Sequence, residues 1–313
     1  MKISATFIDE ISHDIPHQNW GAKEWEQDFA HMKTMGIDTV VHIRAGYRKF
    51  ISYPSAYLIE TQQCFLPSQD LVGLFLRLSD QFNFDFYFGI YDSGVYWDTG
   101  DMSQEIEINK PVIQEVFATY GHHKSFKGWY ISLELSRKTK GAITAIRDLG
   151  LYCKKVSGGL PVLISPWIDG EKAVIATEKE LKKPESVSLE THAQEWDEIF
   201  NGIQGAIDIV AFQDGHVDYE QLRSYLEVNK KLADQYGLIS WTNTESFDRD
   251  MPIKFLPIKF DKLQYKLAQA SAVGIEKAIT FEFSHFMSPQ SAYIQAGHLY
   301  QRYLDYYFNT HTE

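Results

Sequence analysis

Ile207-Asp208-Ile209-Val210-Ala211-Phe212, then Gln213-Asp214-Gly215, then Asp218-Tyr219-Glu220-Gln221: the reading of this stretch decides the fold. Its first six residues form a largely apolar, β-branched run of strand length. The next three are polar and suited to a turn. The last four open a helix that stops at Gly237, and Leu238-Ile239-Ser240-Trp241 starts another strand at once. Strand, helix and strand in such close succession predict a parallel pair with a right-handed crossover.

The same unit recurs in both directions. Upstream, strands are expected at Lys2–Ile8, Thr39–Ile43, Phe86–Ile90, Gly128–Leu133 and Val162–Ile164, and downstream at Ala278–Phe281. Helical spacing links Trp25, Phe29 and Met32 before Gly36, and Leu71, Leu74, Phe75 and Leu78 after an N-cap at Ser68. Further helices are expected from Pro111 to Tyr120, through Ile143, Ile146, Leu149 and Cys153, from a capping box at Thr191-His192-Ala193-Gln194, from Asp261 to Gly274, and from Pro289 to Phe308. Eight strand–helix units predict an α/β fold, a single (β/α)8 TIM barrel spanning residues 1–313. An open doubly wound sheet would announce a Gly-rich phosphate loop after its first strand, and none follows Ile8. Residues 169–190, rich in Lys and Glu, read as a long insertion after strand five, either a lid or a solvated loop.

Composition narrows the classes of function. The 313 residues are 44% hydrophobic, enough for one large core. The net charge of −12 and the absence of a basic run longer than Lys-Lys argue against nucleic acid as a partner. No apolar run is long enough for a membrane span, and the first residues lack the apolar stretch of a signal peptide, so a cytoplasmic chain or a mature exported form is expected. Cys64 and Cys153 stand alone and read as packed free thiols. Aromatic residues reach 14%, and any surplus beyond the core would suit a sugar site.

In a barrel, function gathers where strands end. The exits carry Asp9, Glu10, His13, Asp14, His17 and Trp20 after strand one, Arg44 and Tyr47 after strand two, and Tyr91, Asp92 and Trp97 after strand three. Glu134 follows strand four and Ser165-Pro166-Trp167 strand five. Gln213, Asp214 and His216 follow strand six, Asn243, Glu245 and Asp248 strand seven, and Glu282 and His285 strand eight. Glu134 and Glu245 lead this set as catalytic candidates. Glycosidic cleavage needs one carboxyl to protonate the departing oxygen and another to attack the anomeric carbon or activate water, and strands four and seven stand across the ring from each other.

A Glu after strand four and a Glu after strand seven resemble the large clan of retaining barrel glycoside hydrolases. That resemblance implies Glu134 as acid/base and Glu245 as nucleophile. Many clan members place Asn before the acid/base, whereas Leu133 stands here, which leaves the contact to the sugar 2-hydroxyl to another group such as Asn243. A closer resemblance covers nearly the whole chain, to a bacterial domain family described as TIM-barrel glycoside hydrolases of uncharacterised activity. It is carried by Trp20, Gly36-Ile37-Asp38-Thr39, Gly128-Trp129-Tyr130 leading to Glu134, Ser165-Pro166, Gln213-Asp214-Gly215, Glu245 and Ser288-Pro289. The implied substrate is an oligosaccharide or polysaccharide, acidic glycans included on account of Arg44, with no cofactor.

Arg44, Tyr47, Tyr91, Asp92, Trp167, Gln213, Asp214, Trp241, Asn243, Glu282 and His285 are the candidate substrate-binding residues. Several of the site candidates have a structural alternative. Arg44 could pair with Glu134 or Asp92, Gln213-Asp214-Gly215 could be a plain turn, and Trp97, Trp167 and Trp241 could be core. His42, within a strand, reads as a core histidine. Two rival functions remain: a metal-dependent sugar isomerase or epimerase using Glu134, Asp214, Glu245 and His285, and a barrel that only binds glycans. No compact ligand motif favours a metal, and the loosely spaced Asp9, His13, Asp14 and His17 do not supply one.

Overall fold

The structure is a computed structural model, and it describes residues 1–313 apart from 13–14, 97–99, 134–138, 171–186, 250–254 and 310–313. Eight strands form the ring: β1 (Ile3–Ile8), β2 (Thr39–His42), β3 (Asp85–Gly89), β4 (Phe126–Tyr130), β5 (Val162–Ile164), β6 (Ile209–Gln213), β7 (Ile239–Asn243) and β8 (Lys277–Thr280). They close in sequence order with every pair parallel, β8 returning to β1 through Ile3↔Ala278 and Thr6↔Thr280. The chain is a (β/α)8 barrel, as the sequence predicts.

Period-two alternation divides the apolar side chains into two cores. Phe7, Val41, Tyr87, Tyr130, Leu163, Ala211, Trp241 and Ile279 fill the ring. Val40, Phe86, Phe88, Trp129, Val162, Val210, Phe212 and Ala278 point outward, onto the helices. Those helices are α1 (Ala22–Met35), α2 (Leu71–Phe82), α3 (Ser103–Tyr120), α4 (Ala142–Ser157), α5 (Leu189–Gly202), α6 (Tyr219–Gln235), α7 (Phe260–Ala272) and α8 (Ile294–Leu304). Gly36 ends α1 in the left-handed region at φ 91° and donates its N–H to the Lys33 and Met32 carbonyls. No described helix is long and apolar enough to cross a membrane.

Several boundaries differ from the sequence reading. α2 is capped by Asp70, whose carboxylate accepts from the Gly73 N–H, rather than by Ser68. α3 begins at Ser103 and carries Pro111 inside it. Its first turns are anchored to the β3 exit: the Ser93 N–H donates to Glu105 at 2.9 Å, and the Asn109 amide exchanges two hydrogen bonds with the Tyr91 backbone. These contacts outweigh the bond Pro111 cannot make to the carbonyl of exposed Glu107. α5 starts one turn before the expected box, with the Ser188 hydroxyl accepting from the Thr191 N–H. The last helical segment starts at Ile294 and passes into a π-helical turn at Asp305–Asn309.

Four features are absent from the sequence reading. A short helix fills Ala56–Gln62, and another, Phe283–Phe286, follows β8. A three-stranded sheet joins Gly46–Tyr47, Phe50–Ile51 and Tyr91–Asp92 above the β2 and β3 exits. An antiparallel pair, Phe247–Asp248 with Leu256–Pro257, stands above β7. Most of residues 169–190 lie outside the described residues.

Candidate functional site

The inward register does not end with the strands. Past the apolar plug, alternate residues become polar and surround a cleft of about 300 Å³ at the C-terminal mouth. Phe7, Ile43 and Tyr130 form its floor, and Asp9, Gln213, Asn243 and Glu245 continue the inward register of β1, β6 and β7. Trp167 and His216 stack at one side, ring centroids 5.8 Å apart and planes 16° apart. Phe247, Phe255 and Phe281 add an aromatic wall, and Arg44 and Arg249 also border the space.

Glu245 is the best-defined group of the cleft. It is only 2% exposed, and Arg249 grips it with both arms, Nε to Oε2 at 2.8 Å and Nη2 to Oε1 at 2.9 Å. Burial alone would raise its pKa; the Arg249 guanidinium and the Lys266 ammonium outweigh burial and hold it at about 2. Its backbone is fixed as well. The Glu245 N–H donates to Asp214 at 3.1 Å, the Lys266 ammonium donates to the Glu245 carbonyl at 3.0 Å, and Lys266 and Asp214 pair at 2.7 Å. Gly215 makes room for this carboxylate, since a Cβ there would stand 1.9 Å from Glu245 Oε2. Hence Gln213-Asp214-Gly215 is more than a turn: Gln213 lines the cleft, Asp214 clamps the Glu245 backbone and Gly215 clears its side chain.

Two other buried side chains in the cleft keep an acceptor oxygen that has no donor among the described residues. Asp9 is 1% exposed; its Oδ1 accepts the Ile11 and Ser12 N–H groups, and its Oδ2 has no partner among the described residues. Asn243 is 2% exposed; its amide donates to the Ser165 hydroxyl at 3.1 Å, and its Oδ1 has no donor among the described residues. Buried acceptors of this kind call for a donor such as a hydroxyl. Gln213 is oriented by its own bond to the Ser165 carbonyl at 2.7 Å.

A family model described as Domain of unknown function (DUF4434) matches residues 3–293. The chain belongs to the DUF4434 family. Among solved structures it is similar to a proposed alpha-L-fucosidase from Bacteroides thetaiotaomicron VPI-5482, at 62% identity and a TM-score of 0.92 over 98% of this chain and 93% of that one. Two further likenesses show the fold alone. The endo-1,4-beta-mannanase of Rhizomucor miehei has 11% identity and a TM-score of 0.60, over 90% of this chain and 86% of that one. The beta-D-glucuronidase of Dictyoglomus thermophilum has 14% identity and a TM-score of 0.54, over 96% and 50%. No match was found among curated proteins.

In this DUF4434 barrel the candidates from the sequence fall into three groups. Arg44, Trp167, Gln213, Asn243 and Glu245 come together at the cleft. Of these, Arg44 also pairs with Asp92 at 3.0 Å, which makes Asp92 a support for Arg44. The second group lies elsewhere. Trp241 is a correction: it faces inward, but deep in the ring, edge-on to Tyr87, and belongs to the plug. Asp214 faces Lys266, and the Tyr91 hydroxyl donates to the Arg48 carbonyl at 2.5 Å. Glu282 and His285 are buried against each other, with Glu282 also accepting from the Ser284 and His285 N–H groups. Tyr47 borders a neighbouring groove. The third group, Glu134, Trp97, His13 and Asp14, lies outside the described residues.

Asp214 and His285 are thus both engaged by protein partners, and among the described residues no group of three or more His, Cys, Asp or Glu side chains is placed to hold a metal ion. Sequence reasoning undervalued Asp9 and His216 and missed Arg249, Tyr130 and Phe281. Counting in steps of two from Phe7 and Ile279 would have found Asp9 and Phe281 and set Glu282 aside. No local signal pointed to Arg249, one helical turn beyond Glu245 in number but outside any helix.

Proposed function

We propose that the chain hydrolyses a glycosidic bond in the cleft at the barrel mouth, with Glu245 as nucleophile or base partner and Glu134 as general acid/base. The observation that carries this reading is Glu245 itself, a buried carboxylate on the cleft wall kept ionised by two cations. Each of its oxygens accepts one bond from Arg249, and the second lone pair of a carboxylate oxygen would serve an anomeric carbon or a water. Asp9 Oδ2 and Asn243 Oδ1 would receive sugar hydroxyls, and Trp167 would offer a ring face to the apolar side of a sugar. In the sequence Glu134 stands an even number of residues beyond the inward-facing Tyr130, the count that continues an inward register.

In the first step Glu134 protonates the leaving oxygen while Glu245, or a water it activates, attacks the anomeric carbon. In a retaining enzyme Glu134 then deprotonates the water that releases the sugar. The first substrate to try is an α-L-fucoside, because the relative 62% identical to this chain is a proposed alpha-L-fucosidase. The test is a screen of aryl glycosides and oligosaccharides followed by Glu134→Ala. We expect turnover of an oligosaccharide to fall by about 10²–10⁴, while the first step on an activated aryl glycoside, which leaves without a proton, is largely spared. Equal, near wild-type turnover of both substrates by the folded variant would refute the assignment of Glu134. Oligosaccharide binding without any hydrolysis would establish the binding-only alternative.

A further inference from the structure

Next to the cleft lies a larger hollow, about 840 Å³, between the segments that follow β1 and β2. Ser12 and Ile15 line both spaces, so the cleft and the groove adjoin at these two residues. The cleft sits at the low end of the range for small-molecule sites, roughly 300–1,000 Å³, and the groove near its top. The cleft alone therefore suits one sugar ring and little more.

Part of the groove's wall is aromatic and exposed. Phe50 is 62% and Phe65 59% exposed, and their rings meet edge-on at 5.4 Å. They come from different segments, the small sheet and the loop after the Ala56–Gln62 helix. Those segments are tied by the Phe65 N–H donating to the Lys49 carbonyl at 2.8 Å. The chain thus holds two large apolar rings in water at fixed positions, where neither contributes to the core. Single exposed apolar residues need no explanation, but a fixed cluster beside a cleft marks a binding surface. Tyr47 and Trp20 add rings, and His17 and Gln69 add hydrogen-bonding groups beside them. Flat apolar faces next to hydrogen-bonding groups match a sugar, which has a C–H face and a rim of hydroxyls.

We propose that this groove binds the continuation of a glycan chain whose reacting sugar occupies the cleft, so the substrate class is an oligosaccharide rather than a simple monosaccharide glycoside. This rests on the glycoside-hydrolase reading of the cleft. The probes are trisaccharides and longer chains, α-L-fucosylated ones included, each paired with the methyl glycoside of its terminal sugar. The variant is Phe50→Ala/Phe65→Ala, whose exposed rings can be removed without opening the core. On an oligosaccharide the variant should show KM raised about tenfold or more, with kcat little changed and with unchanged inhibition by the methyl glycoside. If wild type cleaves an oligosaccharide and the variant cleaves it with the same KM, the groove inference fails and the cleft reading stands. An equal loss for oligosaccharide and methyl glycoside also overturns it, since the rings would then act on the cleft. Self-association of wild type that the variant abolishes, with glycan kinetics unchanged, would make the patch an interface between copies. If no oligosaccharide or glycoside is bound or cleaved, the cleft reading falls and takes this inference with it.

Discussion

Glu245 is a carboxylate whose charge is set by neighbours rather than by water. Because its pKa is depressed to about 2 in the folded chain, it contributes stability above its ordinary value of 4.5, and that contribution is lost as the pH falls from there through about 2. The geometry around it is tight enough to be tested by one methyl group. In Gly215→Ala the new Cβ would stand 1.9 Å from Oε2 and 2.5 Å from Arg249 Nε, against a buried carboxylate held at both oxygens by Arg249. We expect the variant to fold and to lose at least tenfold in kcat/KM on any glycoside that wild type cleaves, since small displacements of a reacting group are costly. Unchanged kcat/KM would show that the Gly215 side of Glu245 is slack. Among single residues the sequence was only partly legible. Strand exits could be read, and so Glu245, Gln213 and Asn243 could be chosen. The alternation of inward and outward residues sets Asp214 and Glu282 aside, whereas His285 lies beyond its reach, and all three turn into ion pairs behind the cleft.

At the scale of elements, the strands were the clearest signal, because apolar runs such as Ile209–Gln213 are buried on both faces. Helix starts were less clear, because tertiary contacts set them: Glu105 and Asn109 pull α3 back to Ser103 past Pro111, whose ring suggested a start. Two elements lend themselves to measurement. The Ile3 N–H, at the free start of β1, donates to the Tyr303 hydroxyl of α8 at 2.6 Å. Tyr303→Phe leaves that buried N–H without an acceptor and should lower the unfolding free energy by about 1–3 kcal/mol in denaturant titrations; no loss would mean that water replaces the hydroxyl. The short helix Phe283–Phe286 carries His285, whose Nδ1 pairs with Glu282 while Nε2 meets the Pro16 carbonyl at 2.5 Å. Burial opposes charge on this ring, yet Glu282 raises its pKa to about 9. A raised folded pKa gives stability that is complete below about 6.5 and lost as the pH rises through 9. The melting temperature of wild type should therefore exceed that of His285→Gln most at pH 6 and least at pH 10; a gap independent of pH would show that the ring is neutral throughout.

For the whole molecule, the ring divides labour by height. Below, inward-facing Phe7, Tyr87, Tyr130, Leu163 and Trp241 make a solid plug. Above, the same register carries Asp9, Gln213, Asn243 and Glu245 into a cleft, and the small sheets over β2, β3 and β7 build its surroundings. The ring was legible from the count of strand–helix units. The small sheets were not, because their two-residue strands carry no periodic pattern. What makes the mouth a reaction site, on this account, is the ionised carboxylate at its wall. The most direct measurement is turnover by Glu245→Gln, which keeps shape and removes charge, on a glycoside that wild type hydrolyses, with melting curves run alongside to verify folding. The account predicts a loss on the order of 10²–10⁴ or more in kcat in a folded protein; turnover near the wild-type rate would contradict it.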